Sequence, residues 1–326
     1  MRLTEIVCLL ALVAPAWSLP PGYPTIPMRG VHGNVPMPLV GLGTWQYNSS
    51  LAESVVEVAL KTGFRHVDTA WVYKNQDGVG RALHKSGLPR EDYFITTKIP
   101  GGLNASATRA YLDECLQLLN HSYVDLVLIH FPAPFTGKGG SPSLRKEEWL
   151  ALEKWALEGK AKAIGVSHYC KSHVDDTLSA ATLPIALNQV MYHVGMGTSP
   201  DVATDYKDYM QQLGIVYMSF STLCGPCDGD DPKVLTEGSL VTEIGKKYGK
   251  TGAQVALRWA VQQGVPVVPK SQNPKHLAED LDLFSFELSE SDMERLSSAT
   301  TPATGAKDSG DCEMGLLEDS DLRVTV

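Results

Sequence analysis

Eight short apolar runs, each followed by a segment long enough for a helix, recur between Leu39 and Pro269. Where strands and helices alternate, successive strands pair in parallel, and eight such strands close into a barrel. We therefore predict an α/β fold, a (β/α)8 TIM barrel with an N-terminal hairpin at Met28–Pro38 and long C-terminal-face loops at Pro132–Arg145 and Leu223–Lys233. The predicted strands are Leu39–Trp45, Phe64–Ala70, Tyr93–Ile99, Val124–His130, Ala161–Ser167, Ile185–Val190, Ile215–Phe220 and Val265–Pro269.

Polar groups stand at or just past the ends of three of these strands: Asp68, Tyr73, Lys98 and His130. In barrels of this kind, catalytic groups come from the C-terminal ends of several strands. A tyrosine, with a pKa near ~10, is a poor proton donor at neutral pH unless a neighbouring ammonium lowers that pKa. Lys98 can supply the charge, Asp68 can hold Lys98, and His130 can orient a carbonyl oxygen. The four groups predict carbonyl reduction, with the hydride supplied by a bound nicotinamide.

Several segments in order resemble the aldo-keto reductase superfamily, and the match runs from about Gly41 to Met293. The matching segments are Gly41-Leu42-Gly43-Thr44-Trp45, Gly63 to Ala70 continuing to Tyr73, Thr97-Lys98, and Asp125-Leu126 through Ile129-His130. The resemblance implies that Asp68, Tyr73, Lys98 and His130 form the catalytic tetrad, with Tyr73 as the general acid. It also implies a nicotinamide cofactor bound without a Rossmann fold.

The resemblance also implies a cofactor site, which this sequence matches less closely. His168 replaces the usual asparagine, Phe220 the usual tyrosine, His276 the common arginine and Asp280 an asparagine. Because a largely neutral histidine cannot grip phosphate as arginine does, we predict NADPH with NADH as a possible substitute. The implied cofactor-binding residues are Gly43, Thr44, Ser167, His168, Gln189, Phe220, Ser221, Leu223, Lys270, Ser271, His276, Glu279 and Asp280.

Aromatic residues flank the tetrad segments. We predict that Trp45, Trp71 and Phe131, together with His130, line the pocket for a small carbonyl substrate. The alternative for the three aromatic side chains is core packing, which fits Trp71 least because it lies just past a strand end.

The ends of the 326-residue chain differ from the predicted barrel at 28–299. Residues 1–18 combine Arg2 with the apolar run Ile6–Ala16, which predicts a signal peptide and a secretory or secreted protein, with plastid or cytoplasmic localisation as alternatives. Residues 19–27 form a Pro-rich leader, and the acidic tail 300–326 either folds across the pocket or is disordered. Sequons at Asn48, Asn104 and Asn120 predict glycosylation.

The formal charge of −9 and the lack of a dense Lys/Arg run argue against nucleic acid or membrane as a partner, and we expect a monomer. No cluster has the spacing of a metal site. Cys224-Gly225-Pro226-Cys227 resembles a thioredoxin tetrapeptide, but it follows a strand of a larger repeat, which favours a turn or local disulfide. Two rival functions therefore stay open: a nucleotide-binding regulatory protein with the same barrel, and a thiol oxidoreductase.

Overall fold

A two-stranded hairpin opens the part of the chain that the computed structural model describes, namely residues 19–134, 140–197, 203–225 and 233–301. Its strands are β1 (Thr25–Gly30) and β2 (Gly33–Pro38), paired antiparallel. The hairpin begins three residues before the predicted start at Met28, so the last residues of the predicted leader belong to β1. The predicted signal peptide and all but the first two residues of the predicted tail lie outside the described residues.

Seven parallel strands follow in sequence order around one sheet. The sheet closes through Val267, which bridges Val40 on one side and Ser219 on the other. The predicted barrel is thereby confirmed, but the predicted eighth strand is reduced to one bridging residue, because Pro266 and Pro269 have no N–H to donate to a ladder. The strands are β3 (Leu42–Gly43), β4 (His66–Asp68), β5 (Phe94–Ile99), β6 (Val124–Ile129), β7 (Ala161–Ser167), β8 (Leu187–Met191) and β9 (Val216–Phe220).

Helices surround this sheet and alternate with its strands, as the sequence pattern predicts. The side chains of two sequon residues cap helices: Asn48 accepts from the Leu51 N–H and Asn104 from the Ala107 N–H, each at 2.9 Å. The helices are α1 (Ser49–Thr62), α2 (Gln76–Lys85), α3 (Ala105–Leu119), α4 (Pro142–Trp155), α5 (Lys171–Leu178), α6 (Ala203–Gln212), α7 (Val234–Glu237), α8 (Ser239–Tyr248), α9 (Gly252–Gln262), α10 (Pro274–Leu281) and α11 (Glu290–Ser297).

Apolar side chains fill one end of the barrel. Met28, Val35 and Met37 of the hairpin are buried in one cluster with strand residues, so the hairpin covers the barrel floor. The floor is therefore closed, and polar side chains collect at the opposite end, where the strands finish. The strand residues of the cluster are Phe94, Leu126, Leu128, Ala163, Leu187, Val216 and Met218.

None of the described helices is long and apolar enough to cross a membrane.

Candidate active site

Asp68, Tyr73 and Lys98 meet at the C-terminal end of the barrel. Asp68 ends β4, Lys98 lies near the end of β5, and Tyr73 ends a short 3₁₀ turn at Trp71–Tyr73. The fully buried Lys98 ammonium forms an ion pair with Asp68 Oδ1, lies 3.4 Å from the Tyr73 hydroxyl and donates to the Thr69 carbonyl at 3.2 Å. Each of the three ammonium protons therefore has an oxygen to which it can point: Asp68 Oδ1, the Tyr73 hydroxyl or the Thr69 carbonyl.

The electrostatics of this cluster differ from the prediction in one respect. Burial alone would lower the pKa of Lys98, but Asp68 and Tyr73 together raise it, so Lys98 stays charged. Burial raises the pKa of Tyr73, and Lys98 only partly opposes this. The sequence predicts that the Lys98 ammonium lowers the pKa of Tyr73. Lys98 does act in that direction, but the prediction is wrong for the pKa as a whole, which is raised. Tyr73 holds its proton at neutral pH.

His130 stands beside Tyr73 at the head of a stack of rings. Its ring packs edge-on against Tyr73, with centroids 5.7 Å apart, and lies over Phe131 at 4.5 Å. Phe131 stacks on His168 at 4.3 Å, and His168 lies 4.7 Å from Phe220. Burial, together with Lys98 and His168, holds the pKa of His130 well below its usual value. A neutral His130 can donate one hydrogen bond to a carbonyl oxygen without competing for the proton of Tyr73.

Ser167 ends β7, next to β8, and His168 follows it. The Ser167 hydroxyl donates to the Gln189 carbonyl at 2.8 Å, and His168 Nδ1 lies 3.0 Å from the carbonyl oxygen of His130. Because a carbonyl only accepts, His168 carries its proton on Nδ1, and burial lowers its pKa to about 4. The backbone of His168 has φ +60°, a conformation that asparagine and histidine adopt more readily than most residues.

Gln189 has a contact that the sequence did not predict. Its side-chain amide donates to Asp68 Oδ2 at 2.8 Å, so Asp68 is held by Lys98 on one oxygen and by Gln189 on the other. The sequence places Gln189 among the predicted cofactor-binding residues. Its position beside Asp68 places it where β8 meets the tetrad, and the two residues are 121 positions apart in the chain.

Asn75 braces the strand ends, and the sequence did not single it out. Its amide donates to the carbonyls of Thr44 and Tyr47 at 2.8 and 2.9 Å, and its oxygen accepts from Thr69 at 2.9 Å. Thr44, fully buried just after β3, donates its hydroxyl to the Asp68 carbonyl at 2.9 Å. These bonds lock the loop after β3 to the end of β4. The one feature of the sequence that could have pointed to Asn75 is its place as a polar residue two positions after Tyr73.

Lys270 and Ser271 line an open cleft of about 460 Å³. Lys270 donates to the Gln46 side chain at 2.7 Å, and its ammonium lies 5.9 Å from the ring of Trp45. Gln272 and Asn273 complete that wall of the cleft just before α10 begins. The cleft therefore combines one cation with polar side chains, next to the loop that follows β3.

The three predicted residues on α10 lie in different environments. His276 is exposed, Glu279 is half-buried and pairs with Lys275 at 3.7 Å, and Asp280 is only 3% exposed. No hydrogen bond or ion pair joins the Asp280 carboxylate to another residue in the described part of the chain. Burial, with Glu279 adding repulsion, raises the pKa of Asp280 to about 7. Asp280 is thus only partly ionised at neutral pH.

Asp280→Asn is expected to stabilise the protein at alkaline pH. The folded state holds the Asp280 proton up to about pH 7, whereas the unfolded chain releases it near pH ~4, so the free energy of unfolding falls as pH rises between these values. Asparagine does not titrate, so the variant should gain roughly 2–4 kcal/mol over the unmodified protein at pH 8 and little at pH 4. Urea unfolding at both pH values measures this.

Asp282→Asn is the matched control for this prediction. Asp282 is exposed and its pKa is lowered by the hydrogen bond from Lys250, so the same change should reduce stability at pH 8. A stability difference for Asp280→Asn that stays constant between pH 4 and pH 8 would contradict the raised pKa.

The predicted substrate-pocket aromatics do not all face the same way. Trp45 is 46% exposed, and Phe131 lies in the ring stack beside His130. Trp71 instead packs edge-on against Tyr111 of α3, with centroids 4.6 Å apart, while the Lys74 ammonium lies 3.1 Å over its ring. The structure thus brings Trp45 and Phe131 to the rim and turns Trp71 toward the helices.

The loop after β9 carries the remaining predicted cofactor residues. Phe220 ends the strand, Ser221 has φ +55°, and Leu223 packs against the core. Cys224 takes part in a disulfide bond, and Cys227 lies outside the described residues.

Gly43, another predicted cofactor-binding residue, is buried at the end of β3. A Cβ there would lie 2.8 Å from the Val268 carbonyl oxygen, so only glycine fits.

Comparison with known proteins decides the family. Residues 39–301 match the model of the aldo/keto reductase family. The chain belongs to the aldo/keto reductase family. It is 36% identical over 268 residues to the glyoxal reductase of Bacillus subtilis (strain 168), covering 82% of this chain and 90% of that protein. It is 35% identical to aldo-keto reductase family 1 member A1 of Xenopus tropicalis, covering 79% and 84% of the two chains.

The fold agrees with that assignment. The crystal structure of an aldo/keto reductase from Brucella melitensis matches with a TM-score of 0.73 at 33% identity, covering 84% of this chain and 98% of that one. As an aldo-keto reductase, this protein is an oxidoreductase that uses a nicotinamide cofactor, NADH or NADPH, and its chemistry is carbonyl reduction.

Proposed function

We propose that this protein reduces an aldehyde or ketone to an alcohol with NADPH, and that Tyr73 supplies the proton. One observation carries the proposal: the Tyr73 hydroxyl lies 3.4 Å from a fully buried ammonium that is itself held by Asp68. A phenol in this position keeps its proton until negative charge develops on a nearby oxygen. The buried ammonium then stabilises the phenolate that remains.

The other residues orient the reacting oxygen. Neutral His130, edge-on to Tyr73, can donate to the same carbonyl oxygen that Tyr73 protonates. The cofactor, when bound, supplies the hydride. Thr44, Asn75 and Gln189 hold the strand ends in place, so the tetrad needs little rearrangement during the reaction. Since every group named here comes from one chain, we propose that the enzyme acts as a monomer, which size-exclusion chromatography tests.

The residues of the Lys270 cleft fit a phosphorylated nucleotide. Lys270 is a cation at a polar cleft, and Ser271 and Asn273 add hydrogen-bonding side chains. Lysine binds phosphate as a point charge, whereas the exposed imidazole of His276 cannot form the two parallel hydrogen bonds that arginine makes with phosphate. We therefore propose NADPH as the preferred cofactor, with NADH used less well.

Lys270→Met is expected to weaken NADPH binding about tenfold and to leave NADH binding nearly unchanged, because only NADPH carries the extra phosphate. Quenching of tryptophan fluorescence during titration with each nucleotide measures both dissociation constants. Addition of 4-nitrobenzaldehyde in the same cuvette then tests turnover. Equal losses for the two nucleotides would contradict the phosphate assignment, and binding without turnover would favour the regulatory alternative, which the named reductase relatives do not support.

We also propose that the protein enters the secretory pathway. Three observations support this: the apolar run Ile6–Ala16 of the predicted signal peptide, the sequons, and the exposed position of the three sequon asparagines at helix ends. These asparagines are Asn48, Asn104 and Asn120. Expression of the full chain in a eukaryotic secretory host, followed by glycosidase treatment, tests it. A protein retained in the cytosol without a mobility shift would refute it.

A further inference from the structure

Helix α4 carries a buried pair of ionisable side chains, Arg145 and Glu148, that the proposed chemistry does not use. Glu148 is fully buried and Arg145 is 7% exposed, although nothing in the tetrad touches either. Burial raises the pKa of Glu148 well above its usual value. Burying ionisable groups is costly, so the contacts of Arg145 and Glu148 indicate what the two side chains do.

Glu148 holds the loop that follows β5, the strand of Lys98. Its Oε2 accepts from the Gly102 N–H at 3.1 Å, and the backbone of Gly102 and Leu103 partly opposes the rise in the pKa of Glu148. This loop lies directly against the next one along the barrel. A Cβ on Gly101 would stand 1.7 Å from the Phe131 carbonyl oxygen, so a shift of the first loop displaces Phe131.

Arg145 holds that second loop, which follows β6 and begins with Phe131. Its guanidinium donates to the Pro132 carbonyl at 3.3 Å and to Asp176 of α5 at 2.6 Å. One side chain thus ties the residue after Phe131 to the neighbouring helix. Phe131 in turn stacks on both His130 and His168.

A third loop reaches the same buried pair. Tyr169 follows His168 at the end of β7, is 1% exposed, and has its pKa raised well above the usual value by burial and by Glu148. The Tyr169 hydroxyl and Glu148 Oε1 have no hydrogen-bond partner among the described residues. The pair is therefore tied to the loops after β5 and β6, and Tyr169 of the loop after β7 is buried close enough to Glu148 to interact with it electrostatically.

We propose that Arg145 and Glu148 are positioning residues that fix the spacing of the loops after β5 and β6, and so place His130 and Phe131 for the carbonyl substrate. The inference rests on the proposed reductase activity. Weakening either tie should loosen the substrate's binding surface while leaving the buried Asp68, Tyr73 and Lys98 cluster intact. The effect should therefore appear mainly in KM for the carbonyl substrate, and less in kcat.

Steady-state reduction of 4-nitrobenzaldehyde at saturating NADPH tests this. Glu148→Leu, which removes the acceptor, is expected to raise KM about tenfold and to lower kcat less than about threefold. Glu148→Gln keeps an oxygen for the Gly102 N–H and should restore KM to within about twofold of the unmodified enzyme. Glu147→Leu is the matched control, because Glu147 is exposed on the same helix and, within the described part of the chain, its carboxylate bonds only to the Ala105 N–H at 2.9 Å, where α3 begins.

Arg145→Lys provides a second variant in case Glu148→Leu does not fold. The ammonium can pair with Asp176 but cannot also reach the Pro132 carbonyl, so KM should rise about threefold to tenfold. Circular dichroism and NADPH titration confirm folding. Unchanged KM in the folded variants, or a fall in kcat alone, would overturn this inference. Absence of turnover by the unmodified enzyme would overturn the proposed function and this inference with it.

Discussion

Replacement of Tyr73 by phenylalanine is expected to lower kcat for carbonyl reduction roughly 10³-fold while NADPH binding stays nearly unchanged. The substitution removes only the hydroxyl that lies 3.4 Å from the Lys98 ammonium. The ring remains, and with it the edge-on contact with His130 at 5.7 Å. No other described side chain with an ionisable proton lies against the Lys98 ammonium except Asp68, which pairs with it as a carboxylate. Loss of NADPH absorbance measures kcat, and tryptophan fluorescence measures nucleotide binding.

Tyr93→Phe is the matched control for this result. It makes the same change at the other end of β5, where the Tyr93 hydroxyl bonds to His121 at 2.8 Å. Reduction by this variant should stay within about twofold of the unmodified enzyme, since the lost hydroxyl lies at the opposite end of β5 from Lys98 and bonds to His121 instead of the tetrad. Normal turnover by Tyr73→Phe would remove Tyr73 from its assignment as the general acid.

Three of the four tetrad groups could be located from the sequence because each interrupts an otherwise apolar pattern. Asp68, Lys98 and His130 each close or follow a run of β-branched and aliphatic residues, and parallel strands bring such ends to one edge. That argument uses only local pattern and topology. It therefore placed the groups correctly at one end of the barrel, but it gave no distances between them.

Contacts that depend on how the barrel closes could not be predicted. Gln189 reaches Asp68 across the strand order, at a sequence separation of 121. Trp71 follows a strand end, yet the 3₁₀ turn rotates its ring toward Tyr111 rather than toward the rim. The burial of Asp280 likewise follows from the packing of α10 and not from its charge pattern.

The net pKa of Tyr73 also lies beyond sequence reasoning. A neighbouring lysine predicts a lowered pKa, but burial of the phenol acts in the opposite direction and is the larger influence. For reduction this direction is favourable, because the phenol stays protonated over the whole neutral range. The ammonium matters most after the proton has left, when it faces a phenolate at short range.

Lys98→Met is expected to lower kcat roughly 10²- to 10³-fold and also to destabilise the fold. Without the ammonium, Asp68 keeps a buried charge whose one remaining partner among the described residues is the amide of Gln189, and such a broken pair typically costs about 3–5 kcal/mol. Adding Asp68→Asn removes the uncompensated charge. The double variant should therefore recover much of the lost stability, yet none of the lost rate, because nothing then stabilises the phenolate of Tyr73.

Urea unfolding and kcat measured on the same preparations separate the two effects. If Lys98 acted only by holding the fold, activity would return together with stability in the Lys98→Met/Asp68→Asn variant. If Lys98 acts on Tyr73, the double variant regains stability but not activity. The second outcome follows from the geometry, since the Lys98 ammonium spans both partners at once, bound to Asp68 on one side and 3.4 Å from the Tyr73 hydroxyl on the other. One buried charge thus serves the fold through Asp68 and the reaction through Tyr73.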